Sequence, residues 1–378
     1  MSAATVLDVA VPAVARRTYP VHIGTDLGPT LAATATGGAL AAHRPVVVTD
    51  EWCAAHLVPP LLEAFREAGH DPAVLAVPRG ESHKTRQTKA DLEDRLLDLG
   101  HGRDTTVVAV GGGVLTDMAG FVAATYMRGV PYLSMPTTLL AAADAAIGGK
   151  TAVDTPHATN LVGALHHPTA VLVDVGTWRS LEVAQLREGL AETVKHACLA
   201  SAELFDDLER VFVTERTPLR EAFADTTFAV RVATQNVHVK RSYVERDPGE
   251  QDTRMALNLG HTIGRAYEAA SGFRVSHGQA VAVGLALQTR WGEQRGYVTR
   301  EERQRVERLL TAVGLPVALP DDLPVDRLLR AMHFDKKARR GTVQFVFQDG
   351  IGAIRPGPDG RVGTPVRDDE ILDFLGSV

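Results

Sequence analysis

Hydrophobic residues in the first half of the chain occur in short β-branched runs, which alternate with segments of helical periodicity. Each run predicts a strand, and the clearest helical patterns between the first runs lie at 57–68 and 88–99. Strands that alternate with helices are typical of βαβ units, which form a parallel sheet. The predicted strands are Pro45–Asp50, Ala73–Pro78, Thr106–Val110, Tyr132–Met135 and Ala170–Asp174.

After Leu181 the pattern becomes helical, with one short β signal at Thr342–Phe347. We therefore predict two domains, an α/β domain with a parallel sheet at 1–180 and a mainly α-helical domain at 181–378. The sequence has no internal repeat and no long linker, so we expect the domains to pack tightly around a ligand cleft. The predicted helices span 184–210, 216–246, 256–272, 278–297, 300–313 and 325–333.

Composition excludes several classes of protein. The 378 residues carry a net charge of −6, so there is no global basic field and we expect no nucleic-acid partner. Two cysteines, Cys53 and Cys198, suit a reducing cytoplasm and exclude a disulfide scaffold. No basic segment precedes an apolar run at the N-terminus, and no uncharged run is long enough to cross a bilayer. We expect a cytoplasmic protein without a membrane span.

A stripe of polar residues at helical spacing in the second half predicts one polar face of a helix. Burying such a stripe is costly unless it binds something. Its histidine, His261, is followed sixteen residues later by His277, and an isolated Glu192 lies upstream between apolar residues. One carboxylate and two imidazoles form a ligand set of open catalytic zinc sites, although three unrelated polar residues are the alternative. The stripe consists of Arg254, Asn258, His261 and Arg265.

Glycines follow the strand predicted at 106–110, and a helical pattern follows the glycines. This strand, turn and helix at Gly111–Gly113 and Asp117 favours a pyrophosphate at the helix N-terminus. The spacing differs from GxGxxG, so a tight turn without a ligand is the alternative. Two other strand ends carry polar residues, at Asp50 and at Glu81–Lys84. We expect the three strand ends to converge on one sheet edge, where doubly wound sheets bind ligands.

A further polar cluster interrupts the small and apolar stretch from Met135 to Val162. The glycines 148–149 beside Lys150 favour a backbone close to a ligand and an ammonium group directed at an anion. The alternative is a single buried salt bridge between Asp144 and Lys150. The polar members of this cluster are Thr137, Thr138, Asp144, Lys150, Asp154 and Asn160.

Seven motifs occur in a fixed order: Pro78-x-Gly-Glu-x-x-Lys84, Gly111-Gly-Gly-Val-Leu-Thr-Asp117 continuing to Arg128-Gly129, Pro136-Thr-Thr-Leu-Leu, Gly148-Gly-Lys-Thr-Ala-Val, Gly189-Leu-Ala-Glu-x-x-Lys195, Leu257-Asn-x-Gly-His-Thr-Ile-Gly and His277-Gly-x-Ala-Val-Ala. With these motifs the chain resembles the dehydroquinate synthase family of sugar phosphate cyclases over essentially its whole length. The resemblance implies a Rossmann-like NAD-binding domain, an α-helical metal-binding domain and a homodimer.

The resemblance also implies roles for individual residues. It makes Glu192, His261 and His277 the ligands of zinc or cobalt. It places NAD against Asp50, Glu81, Lys84, Gly113, Val114, Leu115, Thr116, Asp117, Thr137 and Thr138, with a segment that closes over the cofactor formed by Thr177, Trp178, Arg179 and Ser180. It surrounds an anionic sugar phosphate with Asp144, Lys150, Asn160, Lys195, Lys240, Arg254 and Asn258, with Lys336 or Lys337 nearby and Arg128 reaching into the neighbouring subunit's site.

The implied reaction converts 3-deoxy-arabino-heptulosonate 7-phosphate to 3-dehydroquinate. NAD oxidises a ring hydroxyl held by the metal, phosphate is eliminated, the hydride returns, and an aldol step closes the carbocycle. The resemblance implies that Lys240 and Arg254 bind the carboxylate of the substrate. It also implies that the phosphate of the substrate binds Arg128, Lys150, Arg265 and a C-terminal lysine.

Four departures from the family pattern leave the substrate open. Arg265 stands where a histidine is usual, Thr159 replaces a lysine, Asp154 an asparagine and Gln279 a glutamate. Retention of Lys240 and Arg254 favours dehydroquinate formation. The alternatives are a secondary-metabolism cyclase of the aminodehydroquinate, 2-deoxy-scyllo-inosose or 2-epi-5-epi-valiolone type, a metal-dependent polyol dehydrogenase, and a paralogue that binds nucleotide without turnover.

Overall fold

The computed structural model describes residues 18–156, 158–334 and 342–377. The strands of the first half are β1 (Val21–Gly24), β2 (Arg44–Asp50), β3 (Ala73–Val77), β4 (Thr105–Gly111), β5 (Tyr132–Pro136), β6 (Lys150–Thr155), β7 (Ala158–Leu165) and β8 (Ala170–Asp174). Six of them form a parallel sheet in the order β1-β8-β5-β4-β2-β3, and β6 pairs with β7 in a separate antiparallel hairpin.

Helices cover both faces of this sheet, because its central strands are apolar on both sides. The helices of this half are α1 (Gly28–Thr36), α2 (Glu51–His56), α3 (Val58–Glu67), α4 (Arg86–Asp98) and α5 (Gly113–Thr125). Val46 and Val48 of β2 pack in one cluster with α4 and α5, whereas Val47 packs on the opposite face with α1 and α3. The predicted parallel sheet and its five strands are confirmed, whereas β1 and the hairpin were not predicted.

The second half is mainly helical. A small antiparallel pair of strands near its end confirms the β signal at 342–347 and adds a second strand. The elements are α6 (Val183–Ala200), α7 (Ala202–Glu209), α8 (Leu219–Ala224), α9 (Thr226–Arg246), α10 (His261–Ala270), α11 (His277–Gln294), α12 (Arg300–Ala312), α13 (Val325–Phe334), β9 (Thr342–Phe345), β10 (Thr364–Arg367) and α14 (Asp368–Leu375).

Two of the predicted helices are each divided in two by a capping side chain. Ser201 accepts a hydrogen bond from the Leu204 amide between α6 and α7, and Asp225 accepts one from the Thr227 amide between α8 and α9. These residues satisfy the free amides of a new helix start, so each long periodic segment becomes two helices.

The continuous helix predicted through the polar stripe is wrong. Residues Thr253–Asn258 form a short 3₁₀ helix, and α10 begins only at His261. Gly260 between them has φ 76°, a left-handed conformation that ends the first helix. Its backbone packs so closely on α11 that an added Cβ would lie 2.9 Å from the Leu285 nitrogen.

One hydrophobic core joins the two halves of the chain. Val171 and Val173 of β8 pack in the same buried cluster as Leu190 and Val194 of α6. This shared core fixes α6 against the sheet. Within the three described ranges, no helix is long and apolar enough to cross a membrane.

The close crossing of α10 and α11 yields a prediction for stability. A Cβ at position 284 would overlap the Gly260 carbonyl oxygen and lie 2.8 Å from the Gly264 nitrogen, both of which are backbone atoms. We expect Gly284→Ala to lower the free energy of unfolding by about 1–3 kcal/mol or more, because the helices must separate.

Urea denaturation measures this change. Gly24→Ala is the matched control, because its new Cβ would meet only Leu27 at an ordinary 3.7 Å. We expect the control to change stability by less than about 1 kcal/mol. Equal stability of the two variants would contradict the close crossing.

Candidate active site

Three side chains that could hold a metal ion meet where three helices approach one another. Glu192 lies in the middle of α6, and His261 and His277 are the first residues of α10 and α11. Nε2 of each histidine lies 3.2 Å from Oε1 of Glu192. One donor atom from each residue lies within 4.8 Å of the other two. A carboxylate and two imidazoles at this separation fit one divalent ion of the zinc type.

The protonation of this triad follows from its burial and its neighbours. Burial favours the neutral acid of Glu192, but the Lys195 ammonium and His261 hold its pKa well below the usual value. Burial lowers the pKa of His261, despite Glu192. Burial also opposes protonation of His277, but hydrogen bonds with Glu192 and Glu268 outweigh it and raise its pKa to about 10.

A group of opposite charges adjoins the triad, with Lys195 and Lys240 buried and Asp144 half-buried. Nζ of Lys240 lies 2.5 Å from Oδ1 of Asp144, Nζ of Lys195 lies 3.9 Å from the same oxygen, and the Lys195 ammonium also contacts Glu192. Burial opposes the ionised form of Asp144, but Lys240 and Lys195 outweigh it and lower its pKa. The chain thus holds two ammonium groups beside the donor set, with compensating carboxylates between them.

Lys150 has a partner that the sequence did not reveal. Its ammonium contacts the Glu250 carboxylate, so the predicted alternative of a salt bridge with Asp144 is wrong. Partial burial lowers the pKa of Lys150 to about 8, with Glu250 opposing the shift. Glu250 lies in the loop between α9 and the 3₁₀ helix, and only its position four residues before Arg254 hinted at it.

Arg254 connects two backbone segments of the site. Its side chain is 1% exposed and donates to the carbonyl oxygens of Gly148, at 3.2 Å, and Pro248, at 3.3 Å. Nε of Arg254 has no hydrogen-bond partner among the described residues. Asn258 donates from Nδ2 to the Met255 carbonyl oxygen at 2.9 Å. Arg254 therefore supplies a fixed positive charge and also holds the loop that carries Glu250.

The three polar strand ends meet at one edge of the sheet, as predicted, because β4, β2 and β3 are neighbours. Gly112 is the cap residue between β4 and α5, so the free N-terminal amides of α5 lie at this edge of the sheet. Oδ1 of Asp50 accepts from the Cys53 amide and caps α2. Thr138 accepts from the Ala141 amide through Oγ1.

Lys84 organises the ends of β3 and of the hairpin. Its Nζ lies 2.8 Å from Oδ2 of Asp117, 2.6 Å from Oδ1 of Asn160 and 3.9 Å from Oε1 of Glu81. Asp154, one of the departures from the family pattern, accepts from the Asn160 amide at 2.8 Å. Asn160, expected near the substrate, thus lies in the Lys84 cluster.

Other predicted residues lie outside both the Lys84 cluster and the group formed by the triad, Asp144, Lys195 and Lys240. Thr177 donates to the Thr137 carbonyl oxygen, but Trp178 is 1% exposed and packs edge-on against Phe223 in the core. Arg179 donates to Thr226 and Ser180 to the Thr177 carbonyl oxygen. Arg128 is exposed with φ 66°, and Arg265 is exposed on α10. Lys336 and Lys337 lie outside the described residues.

Three further polar residues contact the triad or its neighbours and were missed. Glu188 and Glu268 contact the start of α11, and His196 lies 4.0 Å from Asp144. Glu188 stands four residues before Glu192, and Glu268 seven after His261, so helical spacing alone places each on the same face as a ligand.

Known proteins match the chain over most of its length. The N-terminal family model of 3-dehydroquinate synthase matches residues 74–188, and the C-terminal model matches residues 189–338. The 3-dehydroquinate synthase of Desulforamulus reducens is 37% identical over 343 residues, which are 89% of this chain and 92% of the relative. That of Pelotomaculum thermopropionicum is 38% identical over 342 residues, 89% of either protein.

Solved structures share the fold. A 2-epi-5-epi-valiolone synthase from Streptomyces hygroscopicus, with NAD⁺ and Zn²⁺ bound, is 30% identical, with a TM-score of 0.83 over 98% of this chain and 99% of that protein. A glycerol dehydrogenase from Schizosaccharomyces pombe is 16% identical, with a TM-score of 0.64 over 96% of this chain and 90% of that protein, and shows the fold alone.

The buried His196 gives a prediction that needs no ligand. Burial and the Lys195 charge lower its pKa to about 3, while its ring bonds Oδ1 of Asn236 at 2.8 Å. We expect the imidazole to stay neutral at pH 5, measured by histidine NMR with His196→Gln to assign the signal.

The sign of the linked stability change follows. The unfolded chain binds this proton below about pH 6.5 and the folded chain does not, so the contribution of His196 is lost as the pH falls from about 6.5 towards 3. A ring that titrates near its usual pKa would contradict the burial.

Proposed function

The chain belongs to the 3-dehydroquinate synthase family, and on this premise we propose that it converts 3-deoxy-arabino-heptulosonate 7-phosphate to 3-dehydroquinate and phosphate. The family's activity is that of a phosphate-eliminating cyclase, a lyase. The observation that carries the finer assignment is the set of cations around the triad. Lys195 contacts Glu192 directly and Lys240 pairs with Asp144. Burial lowers the pKa of Lys240, and the charges of Lys195 and Arg254 lower it further.

We propose Glu192, His261 and His277 as the metal ligands. The donor set fits, because its carboxylate is 1% exposed and is faced by both imidazoles. A zinc or cobalt ion bound there would supply a positive charge that lowers the pKa of a substrate hydroxyl. The role of Lys195 is to keep Glu192 ionised and to balance its negative charge before substrate enters.

NAD is the proposed second cofactor, at the carboxyl edge of the sheet. It would supply a hydride acceptor that is regenerated within each turnover. The glycine turn before α5 offers free amides to a pyrophosphate, and the turn has little space for a side chain at the cap residue Gly112, where an added Cβ would lie 3.3 Å from Cγ2 of Thr138. We assign the surrounding contacts to Asp50, Glu81, Lys84, Asp117, Thr137 and Thr138.

The substrate's two anionic groups are assigned to two groups of cations. Lys240 and Arg254 would bind the carboxylate, Arg254 through a guanidinium already fixed by two backbone carbonyls. We assign the phosphate to Lys150 and to Arg265, which lies one turn after His261 on α10. Because burial lowers its pKa to about 8, the ammonium group of Lys150 could also donate a proton near neutral pH.

A second cyclase reaction competes with this proposal. The valiolone synthase resembles the chain over nearly its full length, so a phosphorylated ketose without a carboxylate is the alternative substrate class. We further propose a homodimer in which the exposed Arg128 reaches the neighbouring subunit's site.

Metal analysis tests the ligand assignment. We expect His261→Ala to lose at least about 90% of bound zinc with its circular-dichroism spectrum unchanged, because alanine favours the helix that begins at this residue and only the imidazole is removed. His238→Ala, at an exposed position on α9, is the control and should retain the metal. Full zinc content in His261→Ala would refute the assignment.

Phosphate release from a panel of phosphorylated sugars tests the substrate. We expect the keto acid to exceed sedoheptulose 7-phosphate by roughly 30- to 1000-fold in kcat/KM, since a ketose offers no carboxylate to Lys240 and Arg254. The NADH absorbance should not grow in proportion to the phosphate released, because the hydride returns to the product. Comparable rates on the two sugars would favour the valiolone-type reaction, and stoichiometric NADH would favour a dehydrogenase.

A further inference from the structure

We infer that Glu188 and Glu268 are positioning residues for His277, one acting through the backbone of α11 and the other through the imidazole ring. The inference rests on the proposed metal site. It deepens that site by explaining how a histidine with a partly exposed side chain is held in a single orientation.

Glu188 holds the first turn of α11 against α6. Its Oε2 accepts from the Gly278 amide at 2.6 Å, and its Oε1 accepts from the Ser276 hydroxyl group. These two partners flank His277 on both sides in the sequence. The carboxylate also lies at a helix N-terminus, where free amides and the helix dipole stabilise negative charge.

At position 278, α6 and α11 lie too close together to leave space for a side chain. A Cβ at Gly278 would lie 2.6 Å from Cα of Glu188 and 2.9 Å from its carbonyl oxygen. Glu188 and Glu192 are one turn apart on α6, so one rigid helix provides a donor atom and anchors the backbone that carries another. The distance between Glu192 and His277 is therefore set by α6.

Glu268 fixes the ring itself. Its Oε1 lies 3.2 Å from Nδ1 of His277, while Nε2 of that ring faces Glu192. When Nδ1–H donates to this carboxylate, the lone pair of Nε2 is directed at the triad, which is the tautomer a metal needs. Glu268 lies two turns after His261 on α10, so this helix provides one ligand and orients the next.

A purely structural role is the competing explanation, and Glu302 provides the matched control. This glutamate also serves a helix N-terminus, since it accepts from the amides of Thr299 and Ile351 at the start of α12. Loss of a capping carboxylate should lower the Tm of Glu302→Ala and Glu188→Ala alike. Only the latter should change the metal site.

The probe is Co²⁺ added to metal-free protein, with its visible absorption bands and its Kd measured in competition with a chelator. We expect Glu188→Ala and Glu268→Ala to bind Co²⁺ about 10- to 100-fold more weakly than the unmodified chain, with altered band intensities. Glu302→Ala should keep both. Glu188→Gln and Glu268→Gln retain an acceptor oxygen and should recover most of the affinity.

Each outcome has one meaning. If the unmodified chain binds no Co²⁺, or binds it as well after His261→Ala, the proposed metal site fails. If that site holds but both alanine variants keep the Kd and spectrum of the unmodified chain, the positioning role is overturned. Should Glu188→Ala not fold, Glu188→Asp, whose carboxylate is one methylene shorter, takes its place, and an unchanged Kd there overturns the role of Glu188.

Discussion

The site depends on how closely α6, α10 and α11 approach one another. At Gly260, Gly278 and Gly284 the neighbouring backbone occupies the space where a side chain would begin. This contact brings the first residues of α10 and α11 together, with their ring centroids 5.4 Å apart, beside the middle of α6. A candidate ligand set drawn from three distant sequence segments is therefore fixed by rigid helices, which hold the geometry of a site better than loops do.

Charge is the second constraint, because the site gathers ions away from solvent. A buried ion without a partner is unstable, and here the carboxylates of Asp144 and Glu192 alternate with the ammonium groups of Lys195 and Lys240. These pairs are mutually compensated before any anion arrives. On the proposed assignment, a substrate carboxylate would compete with Asp144 for Lys240, which favours a ligand that offers charge together with several hydrogen bonds.

Local patterns predicted the sheet well, because a strand buried on both faces leaves an apolar run of β-branched residues. They also identified Glu192, His261 and His277 as a candidate set. They failed where the structure depends on distant partners: the break at Gly260 reflects packing on α11, and Lys150 pairs with Glu250 rather than Asp144. Glu188 and Glu268 look like ordinary exposed helix residues until the crossing helices are known.

The same distinction separates the family from the substrate. The family models and the curated relatives show the family, whereas the helix crossings, the glycine turn and the candidate triad are compatible with any sugar that carries a hydroxyl group and a phosphate. Discrimination must come from side chains directed at the remaining groups of the sugar. On the proposed assignment, we expect Arg254 to discriminate most strongly, because its guanidinium is fixed by the Gly148 and Pro248 carbonyls. We expect Arg265, which is exposed, to discriminate less than the buried Arg254.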